Sequence, residues 1–273
     1  MLRRHAAPAK VNLALVVGPR RDDGKHEVAT VLQRVDLCDR MTLEPAPRTA
    51  VHGFGADTLV ARALDLLAAK AGAGGGWSVR LWKRIPVASG LGGGSSDAAT
   101  ALRLANATLP DPLAPERLAA LAAEVGADVP FFLRHGSQLG EGDGTELTQL
   151  ELPQDFWVVL LLPHGARKAS TAEVYDAFDR RRGEEGWPER RAALGRALDG
   201  VGRARDLALL PPNDLASSPF ADRLRALGAF RADVSGAGPV VYGLFHRGAT
   251  ARQAASALSP SGRTWLTVPT WYG

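Results

Sequence analysis

An α+β fold is predicted by three features of this 273-residue chain. Segments rich in β-branched residues and segments of helical periodicity follow one another irregularly, not as a regular βαβ series. The hydrophobic content of 45% supports a full core for one large domain or two intimate ones. Finally, a glycine- and serine-rich run, Gly90–Ser96, opens onto an alanine- and leucine-rich helix, so a tight loop is joined to a helix start.

The elements follow in order. Ala9 to Val17 alternates and reads as a strand. Asp23-Gly24 lies in a charged turn, and strands are predicted at Val28 to Val35 and Met41 to Pro45. Asp57 to Gly72 places Leu59, Ala63, Leu66 and Leu67 at helical spacing and ends on glycine. Trp77 to Ile85 alternates as a strand and stops at Pro86. A helix is expected from about Ser96 to Ala107, and another from Pro112 to Val125 with Pro115 in its first turn. Phe131 to Leu133 reads as a strand start or a short buried turn, and Gly140 to Gly144 as a tight loop.

Composition changes near Pro153. Beyond it, the apolar run Phe156 to Leu162 predicts a buried central strand. Helices are predicted at Ala172 to Arg182, Pro188 to Leu198, Phe220 to Leu227 and Ala249 to Leu258. Strands are predicted at Phe230 to Val234 and Val240 to Phe245, joined by the glycine turn Ser235 to Pro239.

A net charge of +4 with 23% charged residues suits an anionic small molecule and is too weak to argue for nucleic acid. The single cysteine, Cys38, excludes an internal disulfide and a cysteine-based metal cluster. The apolar run Leu13 to Val17 is too short for a signal peptide, and no stretch reaches the roughly 20 apolar residues that span a bilayer. The expectation is a cytoplasmic protein with no membrane association, no nucleic-acid partner and no obligate protein partner.

The loop carries the strongest chemistry. Glycines let backbone N–H groups approach a ligand closely, and the following helix adds its positive dipole end at the same spot. Together they cradle phosphate oxygens, and Ser95 and Ser96 offer hydroxyls for phosphate or a phosphate-bound magnesium. Competing motifs fail. Gly18 to Lys25 has five residues between its glycines, and His26 stands where a P-loop requires Ser or Thr. Ser95 stands where a dinucleotide fingerprint needs its last glycine, and His26-Glu27 lacks the second histidine of a zinc protease helix.

Three separated segments, Pro8–Leu13, Leu91–Ala99 and Val234–Pro239, resemble the three motifs of the galactokinase, homoserine kinase, mevalonate kinase and phosphomevalonate kinase superfamily. With Asp22–Met41, Lys83–Ala99, Gly126–Leu133 and Asn213–Leu215, the chain resembles the 4-diphosphocytidyl-2-C-methyl-erythritol kinase family over nearly its whole length. The resemblance is weakest between Arg180 and Leu210 and at the C-terminus. It implies a two-domain fold: residues 1–152, an N-terminal ATP-binding domain of the ribosomal-protein type with a left-handed βαβ unit, and residues 153–273, a ferredoxin-like C-terminal domain. The implied reaction is ATP-dependent phosphorylation of a hydroxyl on a cytidine-diphosphate-linked methylerythritol, with Mg2+ accompanying ATP and no dedicated carboxylate cage for metal.

The residue roles also follow from the resemblance. Lys10 and Asp128 match the catalytic lysine and aspartate, with Asp128 taking or orienting the hydroxyl proton. Gly90, Gly92, Gly93, Gly94, Ser95 and Ser96 are expected to hold the triphosphate, and Lys83 to lie near the ATP base or ribose. Asn12 is expected at the polyol, His26 at the cytosine edge, Tyr175 stacked on cytosine, and Gly236 and Gly238 at the substrate diphosphate. Three positions depart from the family pattern: Lys25 replaces a tyrosine, Thr58 an asparagine, and Ala237 a serine or threonine.

Overall fold

A computed structural model describes residues 3–54, 58–166 and 170–271. The predicted helix start at Asp57 lies outside these residues, as does the side chain of Thr58. The described residues form one six-stranded and one four-stranded sheet.

The first sheet is built on a long antiparallel pair, β1 (His5–Arg20) and β2 (His26–Ala46). The two strands predicted separately at Val28 to Val35 and Met41 to Pro45 are one. The polar residues between them suggested a break, but the buried Asp39 is satisfied inside the strand by the Lys83 ammonium and the backbone N–H groups of Arg84 and Ile85. Strand β3 (Ala50–His52), helix α1 (Thr58–Ala71) and strand β4 (Gly76–Trp82) form a parallel βαβ unit on one edge of β2.

Helix α2 (Gly93–Asn106) starts three residues earlier than predicted, because Gly92 enters the left-handed region at φ 69° and serves as its N-cap. Helix α3 (Pro115–Val125) follows. The segment read as a strand start or turn is instead a short helix, α4 (Val129–Leu133). Proline in its first turn favours that geometry, and five residues are too few to show a period. Strands β5 (Ser137–Glu141) and β6 (Glu146–Leu150) flank the predicted Gly140–Gly144 loop as a hairpin.

The second sheet has the order β10-β7-β9-β8, with β7 (Trp157–Pro163), β8 (Arg231–Val234), β9 (Val241–Phe245) and β10 (Gly262–Thr267), all antiparallel. β10 escaped the sequence reading because, as an edge strand, it mixes polar and apolar residues. Between β7 and β8 lie helices α5 (Thr171–Arg180), α6 (Trp187–Asp199) and α7 (Pro219–Ala226), and α8 (Gly248–Leu258) precedes β10.

Alternation assigns the faces of this sheet. Val159, Leu161, Val241 and Phe245 pack against Leu224 of α7 and Ala251, Ala254 and Leu258 of α8. Val158, Leu160, Tyr242 and Leu244 instead share a core with Ala9, Val11 and Leu13 of β1 and Leu194 of α6. A separate core lies between the first sheet and helices α1, α2 and α3. On β1, Lys10 and Asn12 alternate with Ala9, Val11 and Leu13, so both polar side chains stand on the face away from that shared core. Among the described residues no helix is long and apolar enough to cross a membrane.

Candidate active site

A cavity of about 510 Å³ opens where β1, the loop Lys83–Gly92, the start of α2, the segment before α4 and the β8–β9 turn converge. Lys10, Asn12, Lys83, Gly90, Gly92, Gly93, Gly94, Ser95, Asp128, Tyr175 and Gly236 line it. Sequence-predicted residues from six segments thus share one wall. Ser96, His26 and Gly238 do not reach that wall.

The Lys10 side chain is 4% exposed, and its Nζ lies 3.4 Å from Asp128 Oδ2 and donates to Asn12 Oδ1 at 2.7 Å. Asn12 Nδ2 donates in turn to Thr30 Oγ1, which donates to the Ala14 carbonyl, so the amide is held with its oxygen toward the ammonium. Asp128 occupies the N-cap of α4 and remains 41% exposed, open to the cavity. Lys10 and Asp128 are 118 positions apart, and the packing of α4 against α2, and of α2 against β1, brings them together.

The glycine loop is built against the β8–β9 turn. A Cβ on Gly90, where φ is +84°, would stand 2.1 Å from the Ser235 carbonyl oxygen. Ser235 Oγ donates to the Gly90 carbonyl at 2.9 Å and accepts from Asn12 N at 3.3 Å. Asn213 Nδ2 donates to the carbonyls of Val234 and Gly236 and fixes the turn from beneath. A Cβ on Gly92 would press on Phe132 and the Lys10 stem, and one on Gly93 on Ile85. These three positions need glycine for close approach, and the approach presents the N–H groups at the start of α2 to the cavity. Within the loop Ala88 takes the left-handed region, at φ 53°.

Beside the loop, Lys83 Nζ lies 2.5 Å from both Asp39 Oδ2 and Asp97 Oδ2, two carboxylates with no solvent exposure. Burial works against the ammonium, but the charge of Asp97 and the hydrogen bonds that the ammonium donates to both carboxylates outweigh it, and the Lys83 pKa is raised. The predicted nucleotide lysine is therefore also the neutralising partner of two buried acids. Sequence reasoning missed that role; the signal was an aspartate directly after the glycine–serine run.

The far end of the cavity is made of side chains from distant elements. His26 stacks against Tyr175 at 4.7 Å between centroids, and its Nε2 lies 2.7 Å from Asp179 Oδ1. The predicted base-reading histidine is thus covered by α5, and Tyr175 forms the cavity wall in front of it. Burial, and then the charge of Asp128, push the Tyr175 phenol up to about 12. Lys25 pairs with Asp143, which lines the cavity with Gly144. Asp143 also accepts from Thr145 N and Oγ1. Burial opposes ionisation of Asp143, yet the Lys25 and Thr145 hydrogen bonds outweigh it and lower its pKa. Burial and the neighbouring Asp36 push the Cys38 thiol up to about 12, which removes it as a nucleophile.

Known proteins share this layout. The GHMP kinases N terminal domain model matches residues 58–136, and the GHMP kinases C terminal model residues 216–263. A 4-diphosphocytidyl-2-C-methyl-D-erythritol kinase of Geobacter metallireducens is 37% identical over 279 residues, covering 96% of this chain and 95% of that protein. One from an Anaeromyxobacter species is 41% identical over 263 residues, covering 91% of this chain and 84% of that protein. The chain belongs to the 4-diphosphocytidyl-2-C-methyl-D-erythritol kinase family. A crystal structure of 4-(cytidine 5'-diphospho)-2C-methyl-D-erythritol kinase superposes with a TM-score of 0.78 at 36% identity, covering 98% of this chain and 99% of that one. A homoserine kinase from Cytophaga hutchinsonii shares the fold, with a TM-score of 0.73 at 16% identity. The two-domain α+β architecture of these kinases is the architecture of this chain.

Proposed function

We propose that this member of the family transfers the γ-phosphoryl group of ATP to the 2-hydroxyl of 4-diphosphocytidyl-2-C-methyl-D-erythritol, a step toward isoprenoid precursors outside the mevalonate route. The observation that carries the reading is the Lys10–Asp128 pair, set in one cavity with the glycine-lined start of α2. The names of the relatives, at 36–41% identity, supply the substrate.

The chain's residues divide the work. N–H groups of Gly92, Gly93 and Gly94, with the α2 dipole, bind the triphosphate. Asp128 accepts or orients the proton of the attacking hydroxyl, within reach of bulk water for its return. Lys10, fixed by Asn12, places its charge where the transferring oxygens pass. Gly236, and Gly238 behind it, shape the turn facing the substrate diphosphate. Tyr175 offers its ring to the base, and His26 supports that ring from behind.

Magnesium suits the donor chemistry at the start of α2: Ser95 lines the cavity, the buried Ser96 Oγ just behind it has no hydrogen-bond partner among the described residues, and a hydroxyl is a fitting ligand for a hard cation. Bound with ATP, the ion supplies charge neutralisation on the phosphates. We place the domain boundary between residues 152 and 153, in the connection from β6 to β7, and the enzyme in the cytoplasm with a small molecule as its partner.

The deciding assay is ADP release by the purified protein with Mg-ATP and the cytidine substrate, run beside homoserine and mevalonate diphosphate. Turnover with the cytidine compound alone is expected. Turnover confined to another acceptor would overturn the substrate assignment.

A further inference from the structure

We propose that Arg34 is a positioning residue that fixes the Lys10–Asp128 pair by gripping the opposite end of the helix that carries Asp128. The proposal rests on the role given to that pair above.

Arg34 stands on β2 directly across from Lys10 in the β1–β2 register. Cross-strand partners project on the same face of a sheet, so two cations rise side by side toward α4. They hold its two ends. Lys10 meets Asp128 at the N-cap. Arg34 Nη2 donates to the carbonyl of Phe131 at 2.8 Å and to that of Arg134, at the C-terminal end. A helix of five residues has almost no internal hydrogen-bond ladder, so its position is set by what binds its termini. A cation at its carbonyl end also complements the helix dipole.

The grip is packed and braced. The Arg34 guanidinium lies over the rings of Phe131 and Phe132, 5.1 Å and 5.9 Å from their centroids. Phe132 in turn stands, with the Lys10 stem, beside Gly92 of the glycine loop, where an added Cβ would come within 3.0 Å and 3.1 Å of them. The Arg34 carbonyl accepts from Gln33 Nε2 at 2.9 Å and Thr270 N at 3.1 Å. The C-terminal segment also bonds Asp36 through the Val268 carbonyl and Gly136 through the Trp271 carbonyl, on either side of the Arg34–α4 contact. Arg34 is 1% exposed and does not line the cavity, so it touches neither substrate. Burial, and then the charge of Arg103, push the guanidinium down to about 10, which leaves it charged at neutral pH.

The full-length Arg34→Met and Arg34→Lys variants test this in the ADP-release assay, with Asp128→Asn beside them. Lysine keeps the charge but lacks the planar guanidinium whose Nη2 serves both carbonyls and which lies over both rings. Arg34→Met is expected to lose on the order of 100-fold in kcat, since small misplacements of reacting groups cost that much. KM for ATP should stay unchanged, and Arg34→Lys should recover part of the loss. Thermal melting identifies which variants are folded at the assay temperature. Wild-type kcat in a folded variant of either kind overturns the proposal, as does a raised KM for ATP with intact kcat. If methionine prevents folding, the lysine variant decides alone; if neither folds, Arg34 serves stability only and the proposal fails. Full activity in Asp128→Asn removes the role of the pair itself, and is thereby distinguished from a failure confined to Arg34.

Discussion

The two ends of the cavity are built by different means. At one end, the one proposed for phosphate, Gly90, Gly92, Gly93, Gly94 and Ser95 line the cavity, and neighbours at backbone distance hold the loop. At the other end, the one proposed for the base, single side chains arrive from the β1–β2 turn, β2, the β5–β6 hairpin and α5, and they pair with one another: His26 with Tyr175 and Asp179, Lys25 with Asp143. A backbone cradle tolerates no added atom but is indifferent to side-chain chemistry. Paired side chains tolerate exchange, because each loss is shared with solvent. The phosphate end should therefore be brittle and common to many kinases of this fold, and the base end adjustable and specific.

Breaking the phosphate end should have the largest effects. Asp128→Ala is expected to lower kcat on the order of 10²–10⁴-fold, the usual contribution of a positioned base, while calorimetric ATP binding is preserved. Loss of ATP binding in a folded variant would instead make Asp128 part of the nucleotide site. Lys83→Met comes next, since it removes the cation that sits between the buried carboxylates of Asp39 and Asp97. Removing one partner from such a cluster costs about 3–5 kcal/mol, read as a fall in the urea midpoint. The pH dependence has a defined sign. Because the folded pKa of Lys83 is raised, its contribution is fully present below the ordinary value of 10.5 and is lost as pH climbs through the higher folded value. An urea midpoint in Lys83→Met equal to wild type would show that the cluster is relaxed by water.

Gly90→Ala sharpens the contrast at a smaller scale. An alanine in the left-handed region costs about 1–2 kcal/mol, and here the new methyl also meets the Ser235 carbonyl. Both a lower melting temperature and a raised KM for ATP are expected. A melting loss with unchanged KM would separate the fold of the loop from its phosphate contacts.

The same contrast explains what the sequence revealed. The glycine loop and the helix start behind it were legible because their residues are contiguous. Strand β1 and helices α1 and α3 were legible through periodicity, and strand β7 through its continuous apolar run. Asp128 and Lys10 carry no local signal; a lysine in a strand and an aspartate after Gly-Ala are ordinary, and only the ordered family motifs singled them out. Arg34, Asp39 and Asp97 were given no role from sequence, since sequence pattern does not show that a charge has a buried partner 14 to 100 positions away. Helix α4 and edge strand β10 were missed for want of length and of a clean pattern. His26 was expected at the base, yet α5 covers it, a fact of tertiary packing that no spacing in the chain encodes.

The base end gives the smallest expected effect. Lys25 is 55% exposed and Asp143 13%, and Asp143 keeps two bonds from Thr145 when the lysine is removed. Exposed pairs of this kind contribute about 0–1 kcal/mol and weaken with salt. Lys25→Ala should therefore leave kcat unchanged, shift the melting temperature slightly, and lower the salt dependence of KM for the cytidine substrate. The folded pKa of Asp143 is depressed, so the pair contributes above the ordinary carboxylate value of 3.8 and is lost as pH falls through the lower folded value. Acid titration of the variant should show less loss of stability in that range than the wild type. A large fall in kcat for Lys25→Ala would mean that this cation reaches the transferring phosphoryl group, and that the two ends of the cavity do not divide recognition from chemistry.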